Sequence, residues 1–259
     1  MSKFQLKNFF KELKLIYFSS PFDETAVDLL ESLDTPAYKI ASFEVVDLPL
    51  IRYVAGTGKP IIMSTGMASE EEIEEAITAA REAGCRDLLL LHCISSYPTT
   101  AAESNLNNIL TLKKEFNVEV GLSDHTTDNL ACYSGIALGA DLLERHFTDD
   151  MQRTGPDIIC SMNPESLSDL IRGSKIIFEA NGGEKEPVKE ENPTIAFAFA
   201  SVVAIKDIYP GELLNKNNIW LKRPGGGDFN ANNYESLMGK KCLEFIKNGY
   251  QIKKSQVDC

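Results

Sequence analysis

The sequence predicts an α/β protein with two domains: an incomplete (β/α) barrel of the TIM type over residues 1–180, a linker at 181–196, and a small all-β domain over 197–259. Three observations carry this. Short apolar runs alternate with amphipathic stretches through the first 180 residues, and strict βα alternation implies a parallel sheet with helices packed outside it. The runs are nearly evenly spaced and none is followed by a glycine-rich dinucleotide fingerprint, which favours a barrel over a doubly wound sheet. Beyond residue 196 the pattern changes to short β runs broken by turns.

Six runs read as strands, at residues 15–20, 37–42, 60–64, 88–93, 118–122 and 142–147. A closed barrel of this type needs eight, so the barrel is expected to be open. Between the strands lie amphipathic stretches such as SEEEIEEAITAAREAG, where Ser69 is a natural N-cap and Gly84 a stop. The segment NGGEKEPVKEENPT, charged and rich in Gly and Pro, is the linker. After it come the turns IYPG, RPGGGD and KNG, together with a weak repeat at an offset of 38. Ile208, Gly211, Leu214 and Ile219 return as Ile246, Gly249, Ile252 and Val257. Two copies point to a small pseudo-symmetric β fold, since a solenoid needs three or more units.

The net charge of −12 argues against nucleic acid or an anionic membrane as partner. An anionic substrate would therefore need a local basic pocket. Six cysteines without a CxxC pair read as reduced thiols of a cytoplasmic protein, not as disulfides or a zinc site. The amphipathic start, MSKFQLKNFFKELKL, lacks the apolar core of a signal peptide, and no apolar run reaches membrane-spanning length.

A parallel barrel places its active site at the carboxyl ends of its strands. All three histidines, His92, His125 and His146, fall at or just beyond such ends. The alternative for each is a capped or core histidine, a reading that weighs more for His92 than for His125 and His146. His125 and His146, with Asp124 and Glu144 nearby, suit a divalent ion acting as a Lewis acid, Mn²⁺ before Mg²⁺, although two ligands from separate strands have no fixed spacing signature. Lys39 lies inside the strand YKIAS, so it must face a polar cavity or a counter-charge. It is either an anion anchor or the partner of Glu44 in a structural ion pair. Hydroxyls gather at other strand ends: Ser20, Ser42, Ser64, Ser95 and Ser123. Singly each is a cap or turn residue. Around one lysine they make a pocket for a phosphorylated carboxylate.

The runs AYKIASFE, KPIIMSTGM, LLHCISSYPT, GLSDHT, LERHFT, GPDIICSMNP, FAFASVVA and LKRPGGGD closely resemble the N-acetylneuraminate (sialic acid) synthases in order and spacing over essentially the whole chain. The C-terminal segment resembles their SAF, or antifreeze-like, domain of the β-clip type. The resemblance implies condensation of phosphoenolpyruvate with N-acetylmannosamine to give N-acetylneuraminate and phosphate. By position, His125 and His146 match the metal ligands; with Lys39 and Glu44 they form the expected catalytic set. Lys39, Ser20, Ser42, Ser64, Ser95 and Ser123 match groups around phosphoenolpyruvate, Ser20 standing where many members have Thr and Ser95 where some have Asn. Glu44, Tyr97 and Asp157 match sugar-site positions, and Thr194 and Phe197 line the approach. Arg223 matches an arginine that reaches the partner subunit's site in a domain-swapped homodimer; otherwise it is a solvated turn charge. Thr100 stands where a Pro is usual.

The family's first barrel strand carries a glutamate motif and its second a Lys–Gln motif, and neither has a counterpart in these 259 residues. The isolated chain is therefore expected to be impaired in that reaction. Pseudaminic and legionaminic acid synthases share the chemistry, and His92 leans the reading toward the N-acetylmannosamine enzymes. A catalytically dead chain whose SAF domain binds or dimerises is the alternative from another class.

Overall fold

Side chains on a β-strand alternate between its two faces, and in this protein that alternation separates packing from chemistry. The computed structural model describes residues 3–258 and divides into two units, Met1–Gly182 and Gly183–Cys259. The first runs α1 (Lys3–Glu12), α2 (Glu24–Ser32), β1 (Tyr38–Ile40), α3 (Leu48–Ala55), β2 (Ile61–Ser64), α4 (Glu70–Glu82), β3 (Leu88–Cys93), α5 (Asn108–Phe116), β4 (Glu119–Asp124), α6 (Leu130–Ala137), β5 (Leu143–Arg145) and α7 (Pro164–Ala180). The strands form one parallel sheet in the order β1-β2-β3-β4-β5. Of the six expected strands, five are present. The run at 15–20 meets the sheet only through the bridge between Ser19 and Tyr38, with one hydrogen bond from Lys39 N to Ser19 O at 3.3 Å. Leu15 and Ile16 are exposed, so little burial holds this run, and Pro21 removes the next donor.

Helix starts are written locally. Ser69 and Glu72 form a reciprocal capping box on α4, and Asn163 accepts from Ser166 N at the start of α7, where Pro164 takes the first position. Gly84, at φ +105°, follows α4 in the left-handed region.

Tyr38, Ile40, Ile61, Met63, Leu90, Val120 and Leu122 turn outward and pack on Ile73, Ile77, Ile109 and Leu112 of the helices. Each such side chain, fully buried, is stabilised by about 1.5–3 kcal/mol. The intervening residues face the concave side, where the register pairs Cys93 with Ser123 and Ser123 with Glu144. Lys39 of β1 reaches Glu144 of β5, Nζ to Oε2 at 3.7 Å. In a flat sheet with strands about 4.8 Å apart these two strands would be separated by about 19 Å, more than both side chains can span. The sheet is therefore strongly curled, half of a barrel wall with its inner strand ends converging. Gly121 makes room inside it: a Cβ there would overlap Leu142 O and lie 2.7 Å from Leu91 Cδ2. Leu91 accordingly fills the inner face and is fully buried.

The second unit contains α8 (Asn192–Ala198), β6 (Ser201–Ala204) and β7 (Ile219–Lys222), the strands antiparallel. Part of the expected linker is thus helical, with Pro193 in its first turn. The 38-residue repeat is a true pseudo-two-fold. Ile208 and Ile246 exchange N–H···O bonds of 2.9 Å with each other. Gly211 N donates to Cys242 O, and its repeat mate Gly249 N donates to Ala204 O, the mate of Cys242. Both glycines have positive φ, and Leu214, Ile219, Ile252 and Val257 are all buried. Five cysteines are free and buried; Cys259 lies outside the described residues. Among the described residues no helix is long and apolar enough to cross a membrane.

Gly121→Ala is expected to lower unfolding free energy by about 1–3 kcal/mol, the usual cost of forcing volume into a packed interior. Urea denaturation checks this; an unchanged midpoint would mean that β4 and β5 can separate freely there.

Candidate active site

On the concave side, Lys39 Nζ donates to Ser64 Oγ at 2.7 Å and to Ile40 O at 3.1 Å, and Ser123 Oγ donates to Glu144 Oε1 at 2.8 Å. Burial pushes the Lys39 ammonium below its ordinary pKa, and nearby Glu144 opposes that shift. Ser42 opens the turn Ser42–Glu44 just after β1. Gly66, at φ +39°, follows β2; a Cβ there would overlap the Ser42 side chain and lie 2.8 Å from Ser95 Oγ, so only glycine lets this loop approach both hydroxyls. Ser95 Oγ and Glu44 Oε2 are buried atoms without a hydrogen-bond partner, and burial raises the pKa of the Glu44 carboxyl. Unsatisfied polar atoms of this kind point to a ligand. Ser20 is half-buried beside the bridge at Ser19.

His125 and His146 stand with ring centroids 5.3 Å apart, and Tyr97 packs on both, 4.1 Å from His125 and 5.7 Å from His146. The Tyr97 loop is held by Thr99, whose N–H donates to His125 O at 3.0 Å. His125 Nδ1 lies 2.8 Å from Ile94 O. A carbonyl has no hydrogen to give, so Nδ1 carries the hydrogen and the lone pair of the neutral ring is on Nε2. Asp157 Oδ2 is 3.9 Å from His146 Nδ1. Burial opposes charge on His125, but its contacts with Cys93 and Ile94 outweigh that and raise its pKa; burial and the neighbouring His125 lower that of His146. A proton entering the pair therefore resides on His125.

Among the described residues no three His, Cys, Asp or Glu side chains are grouped as metal ligands. The donor set is the two imidazoles. An imidazole that gives its other N–H to a backbone carbonyl is the usual arrangement of a ligating histidine; His125 has it, and with His146 beside it the two rings fit two positions of an ion.

Two expectations change. Asp124 does not flank the histidines: alternation after Ser123 turns it toward the helices. There it contacts Arg145 Nε at 3.2 Å, a charge contact not aligned as a hydrogen bond, and receives bonds from Thr126. The ion pair of Lys39 is with Glu144, not with Glu44, the partner that the alternative reading of Lys39 named. His92 is structural, its Nε2 donating to Ser104 O at 2.8 Å, and burial lowers its pKa. In the second unit, Thr194 and Phe197 are exposed on α8, and Arg223 is exposed just after β7.

Two residues escape sequence reasoning, and a third has more contacts than it predicts. Cys93 is buried among His125, Ser42 and Ser123; burial raises its pKa, but those contacts outweigh it and leave the thiol lowered. Glu144 lines one pocket with His125 and His146, as expected, and its carboxylate also meets Ser123 and Lys39. Arg145 has a side chain only 1% exposed, pairs with Asp124 and donates to Asp128 O, Asn129 Oδ1 and Cys160 O. It ties the segments carrying His125 and His146. Counting alternation outward from each histidine would have found all three.

The sequence matches the NeuB family over residues 2–186 and the SAF domain over residues 199–258. The chain belongs to the NeuB family. Among its relatives in this family, an uncharacterized protein of Methanocaldococcus jannaschii is 44% identical over 86% of this chain and 67% of its own length. The pseudaminic acid synthase of Helicobacter pylori is 39% identical over 92% of this chain and 70% of its own. The N,N'-diacetyllegionaminic acid synthase of Campylobacter jejuni is 39% identical over 89% and 70%. Among solved structures, the N-acetylneuraminic acid synthetase of Leptospira borgpetersenii, in complex with citrate, superposes with a TM-score of 0.71 at 32% identity, over 74% of this chain and 67% of that one. The NeuB fold is thus a TIM-like barrel with an SAF domain, and this chain carries five of its parallel strands.

Replacing Arg145 by Met leaves Asp124 as an unpaired buried charge, a loss of about 3–5 kcal/mol. Thermal or urea unfolding reads this directly. A loss below about 1 kcal/mol would show that Asp124 does not depend on Arg145.

Proposed function

We propose that this chain is a sugar-acid synthase that condenses phosphoenolpyruvate with N-acetylmannosamine, giving N-acetylneuraminate and inorganic phosphate. The observation that carries the reading is the concave face itself: Lys39, Ser64 and Ser123 gather at one place, and the paired imidazoles under Tyr97 lie beside them. The first group suits the phosphate and carboxylate of phosphoenolpyruvate; Ser20, Ser42 and Ser95 add hydroxyls around it. Glu44 Oε2, lacking a partner, is free to accept a sugar hydroxyl, and its raised pKa lets it hold a proton there. Tyr97 and Asp157 border the sugar. Arg223 would act toward a partner subunit in a homodimer, as the family resemblance implies.

His125 and His146 would hold a divalent ion, Mn²⁺ in preference to Mg²⁺ because imidazole is softer than oxygen ligands, and that ion would polarise the aldehyde of the open-chain sugar. The residues would hold the open-chain aldehyde carbon against C3 of phosphoenolpyruvate, the atoms that bond. As C3 bonds to the aldehyde carbon, the aldehyde oxygen takes up a proton and water adds to C2; the C2–O bond to phosphate then breaks, releasing inorganic phosphate and leaving the 2-keto acid.

A second reading has its own support. The 39% identity to both a pseudaminic and a legionaminic acid synthase favours a di-acetamido sugar equally well. Phosphate release that depends on both phosphoenolpyruvate and a sugar decides between them: N-acetylmannosamine is expected to be turned over, slowly because the glutamate and Lys–Gln motifs are missing, with the di-acetamido hexoses as the competing result. Lys39→Ala should lower kcat/KM for phosphoenolpyruvate roughly 10- to 100-fold, the loss of one charge-assisted contact. Release that ignores the sugar, or that survives Lys39→Ala unchanged, would sink the reading.

Mn²⁺ affinity, followed by water proton relaxation, should rise with pH. His125 must lose its proton to ligate, and its raised pKa keeps that proton to higher pH than an ordinary imidazole would. The His125→Ala, His146→Ala double variant should bind Mn²⁺ no better than background at any pH.

A further inference from the structure

Glu144 is a carboxylate in a pocket assembled for anions. Its position follows from register: Ser123 and Glu144 are cross-strand neighbours, both on the concave face. Ser123 Oγ gives its hydrogen to Oε1 at 2.8 Å, and Oε2 lies 3.7 Å from Lys39 Nζ. The two donors best placed for an incoming phosphate or carboxylate are thus already directed at a side chain that can only accept. A bound anion and Glu144 cannot use both donors together, and their like charges repel at this range.

The two ends of the contact differ in freedom. The Lys39 side chain is 9% exposed and fixed by Ser64 Oγ and Ile40 O, whereas that of Glu144 is 40% exposed. The separation of 3.7 Å is long beside the 2.7–2.9 Å of a good charge-assisted hydrogen bond. Glu144 is the partner that can leave.

We propose that Glu144 is a placeholder anion: it occupies Lys39 and Ser123 in the free protein, is displaced when phosphoenolpyruvate binds, and returns to displace inorganic phosphate after reaction. This rests on the reading of the pocket as the phosphoenolpyruvate site. Glu144 therefore sets affinity and release without touching the reacting atoms. A residue that merely held Lys39 in place would have the opposite signature, since removing it would weaken binding.

The test is calorimetric titration of the full chain and its Glu144→Gln variant with phosphoenolpyruvate and, separately, inorganic phosphate. Glutamine keeps the shape and an acceptor for Ser123 but loses the charge. Both anions should bind about tenfold tighter to the variant, a modest share of one like-charge repulsion. In turnover, KM for phosphoenolpyruvate and kcat should both fall, while KM for the sugar stays constant. Glu144→Asp, which keeps the charge, should stay near wild type, and Lys39→Ala should abolish the gain. Unchanged or weaker binding by a folded Glu144→Gln protein overturns the proposal and leaves the pocket reading intact. If that variant does not fold, Glu144→Ala is measured in the same way; failure of both to fold marks Glu144 as structural and also overturns it. Absence of binding by the wild-type chain instead removes the pocket reading, and the proposal with it.

Discussion

A parallel strand sends successive side chains to opposite faces, and in this protein one face meets helices while the other faces inward on a curled sheet. The rest depends on that division. Residues 123–125 and 144–146 show it most plainly. Ser123 and Glu144 face the pocket, Asp124 and Arg145 are locked together behind it, and His125 and His146 come forward again beneath Tyr97. A neutral hydroxyl, a buried ion pair and an imidazole pair thus occupy three consecutive levels with no conflict. A register slip of one residue would exchange the faces and bury Glu144 against helices.

Curl does the second part of the work. Lys39 belongs to the first strand of the sheet and Glu144 to the fifth, yet they meet across the interior. Residues far apart in the chain become one small charged region because the wall between them bends. That region is the protein's answer to its own net charge of −12. A long-range field that repels anions is opposed there by one desolvated ammonium and a few hydroxyls, so any attraction it offers an anion is short-ranged.

Most of this was legible in the sequence, for physical reasons. Apolar runs with the right spacing gave the strands, because burial against helices demands them, and Ser69 and Gly84 marked the ends of α4 through cap chemistry. Lys39 and the serines at strand ends stood out because polar groups in such places need partners. What remained hidden depended on neighbours across the sheet. Nothing local to 15–20 says that its apolar residues will find no surface to cover. Asp124 looks as available as Glu144 until alternation assigns them opposite faces. Lys39 has two glutamates to choose from, and the closer one in sequence loses to the one that curl brings near. The helix at 192–198 was concealed by a charged, Pro-containing composition that reads as linker.

The second unit carries a different lesson. Its two halves complete each other reciprocally: the carbonyl of Ala204 serves Gly249, that of Cys242 serves Gly211, and Ile208 and Ile246 serve each other. Each half closes some hydrogen bonds of its own, the β6–β7 ladder in the first and Leu243 N to Gln256 O in the second, but leaves these others to its counterpart. A chain bearing one half would have exposed edges whose natural complement is a second copy of itself.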